Sequence, residues 1–267
     1  MGQRRNRMAG NRGENGSENR INSIERAFKI VDFLESERGA TVTETATALD
    51  TPKSTVHVYL KTLESLNLVV RDGDSYRLGF RFLKYGGGVR NRSRLYRTAK
   101  LEVDKLARET GEVANLGIEE NGLRVLLYKS EEADAIHDNA PIGEYTNMHW
   151  TALGKAMLAH YPPERVEEII DQHGLPEANE HTITTREELY EELEETRDRG
   201  YSIEDQDRRQ GVLTIGVPIM DQRTNEVISA VSVSGPVSRV RSPETMAELA
   251  DAVKSTANVI ELRYAHY

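Results

Sequence analysis

Residues 41 to 66, TVTETATALDTPKSTVHVYLKTLESL, constrain the fold more than any other stretch, because two short helical patterns meet there at a proline-marked turn and then run into a hairpin. In the second pattern Val56, Tyr59, Leu60 and Leu63 fall on one side of a helix, whereas Ser54, His57, Val58, Lys61 and Thr62 point away. One side packs and the other is free to read a partner. Pro52 suits the first turn of a helix, where its missing N–H orphans nothing. Lys53, Ser54 and Thr55 follow it, a cation beside small hydroxyls of the kind that bond to phosphate oxygens or base edges.

The helix before it is short. Thr43, or Thr41 in a capping box with Glu44, caps its start, and Ala46 and Leu49 supply the buried side. Asp50 and Thr51 form the turn, aspartate being among the few residues that tolerate a left-handed backbone. Upstream, Asn22 with Glu25 is a second predicted cap, for a longer helix whose Ile24, Ala27, Phe28, Val31 and Leu34 keep helical spacing. Downstream, Leu68, Val69 and Val70 lead into Arg71; Asp72, Gly73, Asp74 and Ser75 turn, and Tyr76, Arg77 and Leu78 return. The expectation is a winged helix-turn-helix whose hairpin sets Arg71, Arg77 and Arg81 along a phosphate strand. A small helical bundle used for protein contacts is the duller reading of the same pattern.

Charge distribution favours DNA. Residues 1 to 90 hold 15 Lys+Arg against 11 Asp+Glu, a net of +4, while residues 91 to 267 hold 20 against 33, a net of −13. What matters for a polyanion is the field of the docking face, not the overall −9. Residues 1 to 20 carry Arg4, Arg5, Arg7, Arg12 and Arg20 without apolar periodicity and are expected to be a disordered tail, either a solvated leader or a DNA-clasping arm. The tail has no apolar core, so it does not read as a secretion signal. Nine lysines against 26 arginines fit a salt-adapted host, although high genomic G+C favours arginine as well.

The 267 residues exceed what one core usually covers, and the break is expected near Tyr85-Gly86-Gly87-Gly88, where FRFLKY ends, with a new helix from Ser93. Cysteine is absent, which excludes disulfides, thiolate metal sites and a cysteine nucleophile. No run approaches the roughly 18 apolar residues of a membrane span, so a soluble, cytoplasmic protein is expected. Beyond residue 110, strand-like runs at Ala114 to Ile118, Arg124 to Tyr128, Leu213 to Ile219 and Val227 to Val233 alternate with helical patterns at Thr151 to Tyr161 and Arg186 to Arg199. That is an α+β pattern with a mainly antiparallel sheet. The charge-laced helix from Arg186 reads as a solvated outer helix.

A ligand site is expected where Thr151 precedes a helix, because the first N–H groups, on Ala152 and Leu153, have no partner inside the helix and favour an anion such as a carboxylate. Ser232 and Ser234, two apart in a strand, project to the same face. Thr214 opens the preceding strand, and Glu204 is placed in the loop that feeds it. Catalytic signals are weak. Gly154-Lys155 lacks the other residues of a phosphate-binding loop, and Lys155 reads as a surface or helix-packing residue. The histidines at 57, 137, 149, 160, 173, 181 and 266 show no ligand pattern, and no G-x-S-x-G elbow occurs, so no enzyme, metal or cofactor is expected.

The run SIERAFKIVDFLESERGATVTETATALDTPKSTVHVYLKTLESLNLVVRDGDSYRLGFRFLKYG resembles the DNA-binding domain of IclR-family transcriptional regulators, and GYSIEDQDRRQGVLTIGVPIMDQRTNEVISAVSVSGPVSRV resembles their effector-binding domain. With HWTALGKAMLAHYP, the resemblance covers nearly everything from Asn22 onward. It implies a GAF-like C-terminal domain joined by a helical linker, with an effector pocket at the backbone of Ala152 and Leu153 and the side chains of Glu204, Thr214, Ser232 and Ser234. The family usually has Arg at position 58, Asp at 204 and Cys at 214. The shorter Val58 points to an apolar contact with a thymine methyl, with Lys61 supplying charge one turn later.

The resulting expectation is a tail over 1–20, a winged helix-turn-helix domain over 21–85, a linker helix region over 86–110 and an effector-binding domain over 111–267. Thr43, Lys53, Ser54, Thr55, His57, Val58, Lys61, Arg71 and Arg77 are the expected DNA contacts. The expected partners are a palindromic DNA operator, a small hydroxy, keto, sugar or aromatic acid, and further copies of the chain in a homodimer or a dimer of dimers. A C-terminal module for protein interaction or dimerisation, with no small ligand, is the alternative, followed by an enzyme.

Overall fold

The computed structural model describes residues 21–133, 135 and 140–266; the arginines at 4, 5, 7, 12 and 20 and His137 lie outside the described residues. The chain divides after Tyr85 into two compact units.

In the first unit, α1 (Asn22–Ser36) buries Ile30 and Leu34. Its N-cap is Ile21 with no side-chain bond, so Asn22 is the first helical residue and not the expected cap. The helix starts one residue early because the Ile21 carbonyl already accepts the N–H of Ile24. A two-residue strand β1 (Ala40–Thr41) leads into α2 (Val42–Ala48). Of the two threonines considered as its cap, Thr41 fills the position: its hydroxyl accepts the Glu44 N–H at 3.2 Å while the Glu44 carboxylate takes the Thr41 N–H at 2.7 Å. Asp50 then turns the chain at φ 45°. Helix α3 (Lys53–Ser65) follows, with Pro52 as N-cap, one position ahead of the expected first turn.

Strands β2 (Val69–Asp72) and β3 (Ser75–Leu78) form an antiparallel hairpin, and β1 adds to its other edge to give the order β1-β3-β2. The short β1 was not evident in the sequence. Val56, Leu60 and Leu63 of α3 are buried with Ile30, Leu34, Ala46, Val69 and Tyr76, while Tyr59 sits half-buried at the margin.

Helix α4 (Arg81–Arg92) runs on through Gly86, Gly87 and Gly88, past the point where the sequence places the end of the helical FRFLKY. Glycine in a helix interior costs about 1 kcal/mol relative to alanine, which weakens a helix without ending it. The next helix, α5 (Arg94–Thr110), begins as expected: the Ser93 hydroxyl accepts the Tyr96 N–H at 3.2 Å, and Gly111 ends it in the left-handed region at φ 69°.

The second unit is built on a six-stranded sheet: β4 (Val113–Glu120), β5 (Leu123–Ser130), β6 (Tyr145–Asn147), β7 (Ser202–Asp205), β8 (Val212–Asp221) and β9 (Glu226–Pro236), in the order β6-β5-β4-β9-β8-β7. Each described pairing in it is antiparallel. Strand alternation sorts the side chains. Ala114, Leu116, Leu213, Ile215, Val217, Val231 and Val233 pack under α5 and a long helix near the chain end. The opposite face carries a polar and small set instead, and α6 (Ala152–Leu158) lies on part of it.

Around α6 pack α7 (Pro163–His173) and α8 (Arg186–Arg199). Helix α8 keeps the expected charged exterior and buries Leu189, Leu193 and Thr196 along one stripe. The short α9 (Val237–Val240) and the helix under the sheet, α10 (Pro243–His266), complete the unit. No helix among the described residues is long and apolar enough to cross a membrane.

Candidate functional site

Burying Val56, Leu60 and Leu63 turns the other side of α3 outward. Lys53, Ser54, His57, Val58 and Lys61 are exposed, Val58 at 63%, and Thr55 is half-buried. Thr43 at the start of α2 and Arg71 and Arg77 of the hairpin are exposed as well. Thr43, His57 and Arg71 line one cleft of about 350 Å³ where α2, α3 and the hairpin meet.

Four cations of this face have partners within their own unit. Lys61 Nζ pairs with Glu64 Oε2 at 2.9 Å at the surface, a contact that a phosphate can replace. Arg81 bonds the Leu66 carbonyl and, at 3.0 Å, the Tyr85 hydroxyl. Arg71 Nε donates to the Gly73 carbonyl at 2.8 Å and Arg77 Nη1 to the Leu78 carbonyl at 3.4 Å. Arg71 Nη2 also lies 3.9 Å from Asp74 Oδ1.

In the second unit, the polar face of the sheet and the N-terminus of α6 enclose a cavity of about 150 Å³. Its walls include Leu153, Glu204, Thr214, Ser232 and Ser234, so five of the six residues singled out from the sequence meet there. The sixth, Ala152, reaches the site by its backbone: its N–H donates to Glu204 Oε2 at 3.3 Å. One of the two N–H groups expected to be open, that of Ala152, is therefore already answered by a carboxyl of the protein. Glu204 itself lies on β7, opposite Thr214 of β8, and not in a loop.

Two glycines set this geometry. A Cβ on Gly216 would meet the Ala152 carbonyl group at 2.8 Å, so its absence lets the first turn of α6 rest on the sheet. A Cβ on Gly154 would lie 2.0 Å from the Met148 carbonyl oxygen, backbone that cannot step aside. Gly154→Ala should therefore destabilise the chain by at least the ~1–3 kcal/mol typical of overpacking, read as a lower urea midpoint at an unchanged slope.

The cavity also contains residues that the sequence pattern did not single out. Asn115 of β4 and Arg124 of β5 face it, with Thr151, Arg208, Arg209 and Gln210 at its edge. Arg124 is 2% exposed; its Nη2 contacts Glu144 Oε2 at 3.3 Å, but its Nε and Nη1 have no protein partner. Burial first, and then Arg208 beside it, lower its pKa from the ordinary value, and a guanidinium remains charged even so. Ser232 Oγ and Asn115 Oδ1 are likewise buried and unpaired. By contrast Ser234 and Thr214 satisfy each other at 3.0 Å, and Asn115 Nδ2 donates to Ser234 Oγ at 3.2 Å.

A second layer holds these groups. Glu144 receives Arg208 Nη2 on both oxygens at 2.9 and 3.0 Å. Lys155 is buried, not at the surface: its Nζ pairs with Asp207 Oδ2 at 2.5 Å, with Glu192 at 3.9 Å. Burial pushes the Glu204 carboxyl up to about 7, and Asp207 nearby adds to it, against the pull of Lys155, Arg208 and the Ala152 N–H. The site is thus a small polar enclosure with one under-used cation, one reluctant acid and several hydroxyls. Buried polar groups without partners are costly to a fold and are a usual mark of a ligand site.

Residues 23–73 match the model of the IclR helix-turn-helix domain, and residues 88–262 match that of the bacterial transcriptional regulator IclR C-terminal domain. The chain belongs to the IclR family. A Halobacterium salinarum protein named as the probable HTH-type transcriptional regulator ArcR is 36% identical over 253 residues, covering 93% of this chain and 96% of that one. The HTH-type transcriptional regulator BhcR of Paracoccus denitrificans is 31% identical over 266 residues, 98% of this chain and 95% of its own. The solved IclR of Thermotoga maritima superposes with a TM-score of 0.78 at 28% identity, covering 91% of this chain and 99% of that one. An IclR homologue of Microbacterium hydrocarbonoxydans shares the fold at a TM-score of 0.76 and 21% identity, over 91% of this chain and 99% of its own; it was solved with 4-hydroxybenzoate. This IclR-family chain is accordingly a DNA-binding transcriptional regulator with a helix-turn-helix domain and a C-terminal effector-binding domain.

Proposed function

We propose that residues 21–85 bind a palindromic operator, that residues 86–110 link them to an effector domain over 111–267, and that a small organic acid in the polar cavity changes operator affinity. In this reading α3 enters the major groove with Lys53, Ser54, Thr55, His57, Val58 and Lys61, while Thr43, Arg71 and Arg77 follow the backbone. A homodimer sets two such helices about 34 Å apart, one turn of DNA. The protein acts in the cytoplasm and catalyses no reaction.

The observation that carries the effector assignment is the combination of a buried guanidinium with two unanswered donor positions and the unpaired Asn115 and Ser232 oxygens in one enclosure. Donor and acceptor gaps together fit a carboxylate that bears a neighbouring hydroxyl or carbonyl oxygen. The volume equals roughly five water molecules at about 30 Å³ each, which favours acids of a few carbons. That a homologue was solved with 4-hydroxybenzoate supports an acid effector. Screening hydroxy, keto, sugar and aromatic acids by thermal shift on the full chain tests it: a ligand at a hundred times its Kd should stabilise by about 2.7 kcal/mol, and a screen that moves nothing refutes the assignment.

The DNA side has its own test. Lys53→Ala and Arg77→Ala should each weaken binding on all sequences alike and reduce the slope of log K against log salt by about 0.9, one phosphate contact apiece. An unchanged slope would take that residue out of the set of phosphate contacts.

A further inference from the structure

Helix α3 has two flanks. Counting about 100° per residue from Val58, the middle of the outward side, His57 lies about 100° to one side and Tyr59 about 100° to the other. The His57 flank opens on the cleft with Thr43 and Arg71. The Tyr59 flank opens on a separate cleft of about 190 Å³, lined by Arg26 and Lys29 of α1 and by Asp50 and Thr51 of the turn. We propose that this second cleft seats a phosphate of the DNA strand opposite the one that Arg71 follows, the Tyr59 hydroxyl and the Lys29 ammonium both donating to its oxygens.

The two-sided arrangement follows from dimensions. A helix with its side chains measures about 10–12 Å across and the major groove about 12 Å, so a helix lying in the groove fills it from wall to wall. Each wall carries the phosphates of one strand, and each flank of α3 therefore meets a different strand. Tyr59 suits that edge. It packs at the margin of the core formed by Ile30, Val56 and Leu60, and it stays half-buried where it lines the cleft. A tyrosine so placed gives its apolar ring to the protein and its hydroxyl to the outside.

Charge distinguishes this cleft from the hairpin side. Lys61, Arg71, Arg77 and Arg81 each have a partner inside the unit. Arg26 and Lys29 are exposed and three residues apart, which places them on one side of α1. Among the described residues neither of them has a hydrogen bond or ion pair from its side chain, and the Tyr59 hydroxyl has none either. Asp50 lines the cleft as well, so two cations stand against one acid and the balance is positive. A positive cleft with an ammonium and a phenol whose donors no protein group takes up calls for an anion with several acceptor oxygens. A phosphate is that anion, and it is the group that a helix in the groove meets at its edge.

This inference rests on the placing of α3 in the major groove, and the experiment separates the two. The full chain first selects a duplex from a random library. Ethylation interference on that duplex with wild type, Lys29→Ala, Tyr59→Phe and Arg71→Ala then maps the contacted phosphates on both strands, and anisotropy at several salt concentrations gives the affinities. Lys29→Ala should lower the slope of log K against log salt by about 0.9. Tyr59→Phe keeps the ring and removes only the hydroxyl, so a merely structural tyrosine would leave binding unmoved. It should instead weaken binding about five- to tenfold with the slope unchanged, since no charge is lost. Both variants should lose interference at the same phosphate of each half-site, on the strand opposite the phosphate that Arg71→Ala loses.

If Val58→Asp binds the duplex within threefold of wild type, the reading of α3 falls and this inference with it. If Val58→Asp loses the duplex while Lys29→Ala and Tyr59→Phe bind within twofold of wild type at an unchanged slope, only the second cleft is refuted. Loss of phosphates on the same strand by Lys29→Ala and Arg71→Ala refutes the two-strand arrangement. Acetylation of the wild-type chain with and without the duplex needs no variant: the duplex should shield Lys29 from the reagent. Equal labelling overturns the proposal even where a variant fails to fold.

Discussion

A Val58→Asp chain should fold as the parent does and lose its operator. Val58 is 63% exposed at the middle of the outward side of α3, so the substitution leaves the buried Val56-Leu60-Leu63 stripe untouched. Surface changes of this kind shift stability by about 0.5 kcal/mol or less. Against a duplex with one negative charge per ~1.7 Å, however, the new carboxylate is opposed at close range, and like-charge juxtaposition across an interface costs several kcal/mol. At about 1.4 kcal/mol per tenfold, a loss of more than a hundredfold is expected in fluorescence anisotropy. Val58→Arg is the informative partner: it should retain affinity and change base preference in a site library, since a guanidinium reads guanine where a valine touches a thymine methyl. An aspartate variant that binds within threefold of wild type would mean that another surface reads the DNA.

The second large effect is on stability. Lys155→Ala should cost about 3–5 kcal/mol, because it leaves Asp207 buried with its countercharge gone. Asp207 Oδ1 also takes the Asp205 N–H at 2.9 Å, and its carbonyl accepts the Thr182 hydroxyl at 2.7 Å. Loosening it therefore loosens the segment that brings Arg208 to Glu144, so weaker acid binding should accompany the lower stability. The double change Lys155→Met with Asp207→Leu removes both charges and should recover most of the loss in urea titration. A single-variant loss under 1 kcal/mol would show that water reaches the pair.

How far these features were legible in the sequence depends on whether the signal was local. The two sides of α3, the left-handed Asp50 and the choice of Thr41 or Thr43 as cap are set by residues a few positions apart, and the sequence shows them. The strand runs were legible too, because an apolar pattern over five to seven residues is a local signal.

Arg124 was not, because an arginine opening an apolar run reads as a solvated strand end. Only pairing with β6 and the proximity of Glu144 bury it. Lys155 was misread against an available signal: α6 is ALGKAML, buried on every side, and a helix apolar all round implies that its one cation is buried and paired. Glu204 looked like loop because Ser-Ile-Glu-Asp is polar; its strand exists by virtue of Thr214 and its neighbours across the ladder. The three glycines at 86–88 suggested a helix end for a sound reason, a helix penalty of about 1 kcal/mol each, that the rest of α4 outweighs.

If an acid in the Arg124 pocket sets the affinity of the α3 face for DNA, the two binding events must be coupled in one chain. An anisotropy titration of the full chain on the DNA upstream of its own gene, with and without saturating amounts of the acid found by the thermal-shift screen, reads that coupling directly. The expected result is a shift in Kd of about 5–150-fold, in one direction, that disappears in Arg124→Gln while that variant still binds DNA. An acid that saturates the pocket and leaves the DNA titration unmoved would contradict the coupling of pocket to operator.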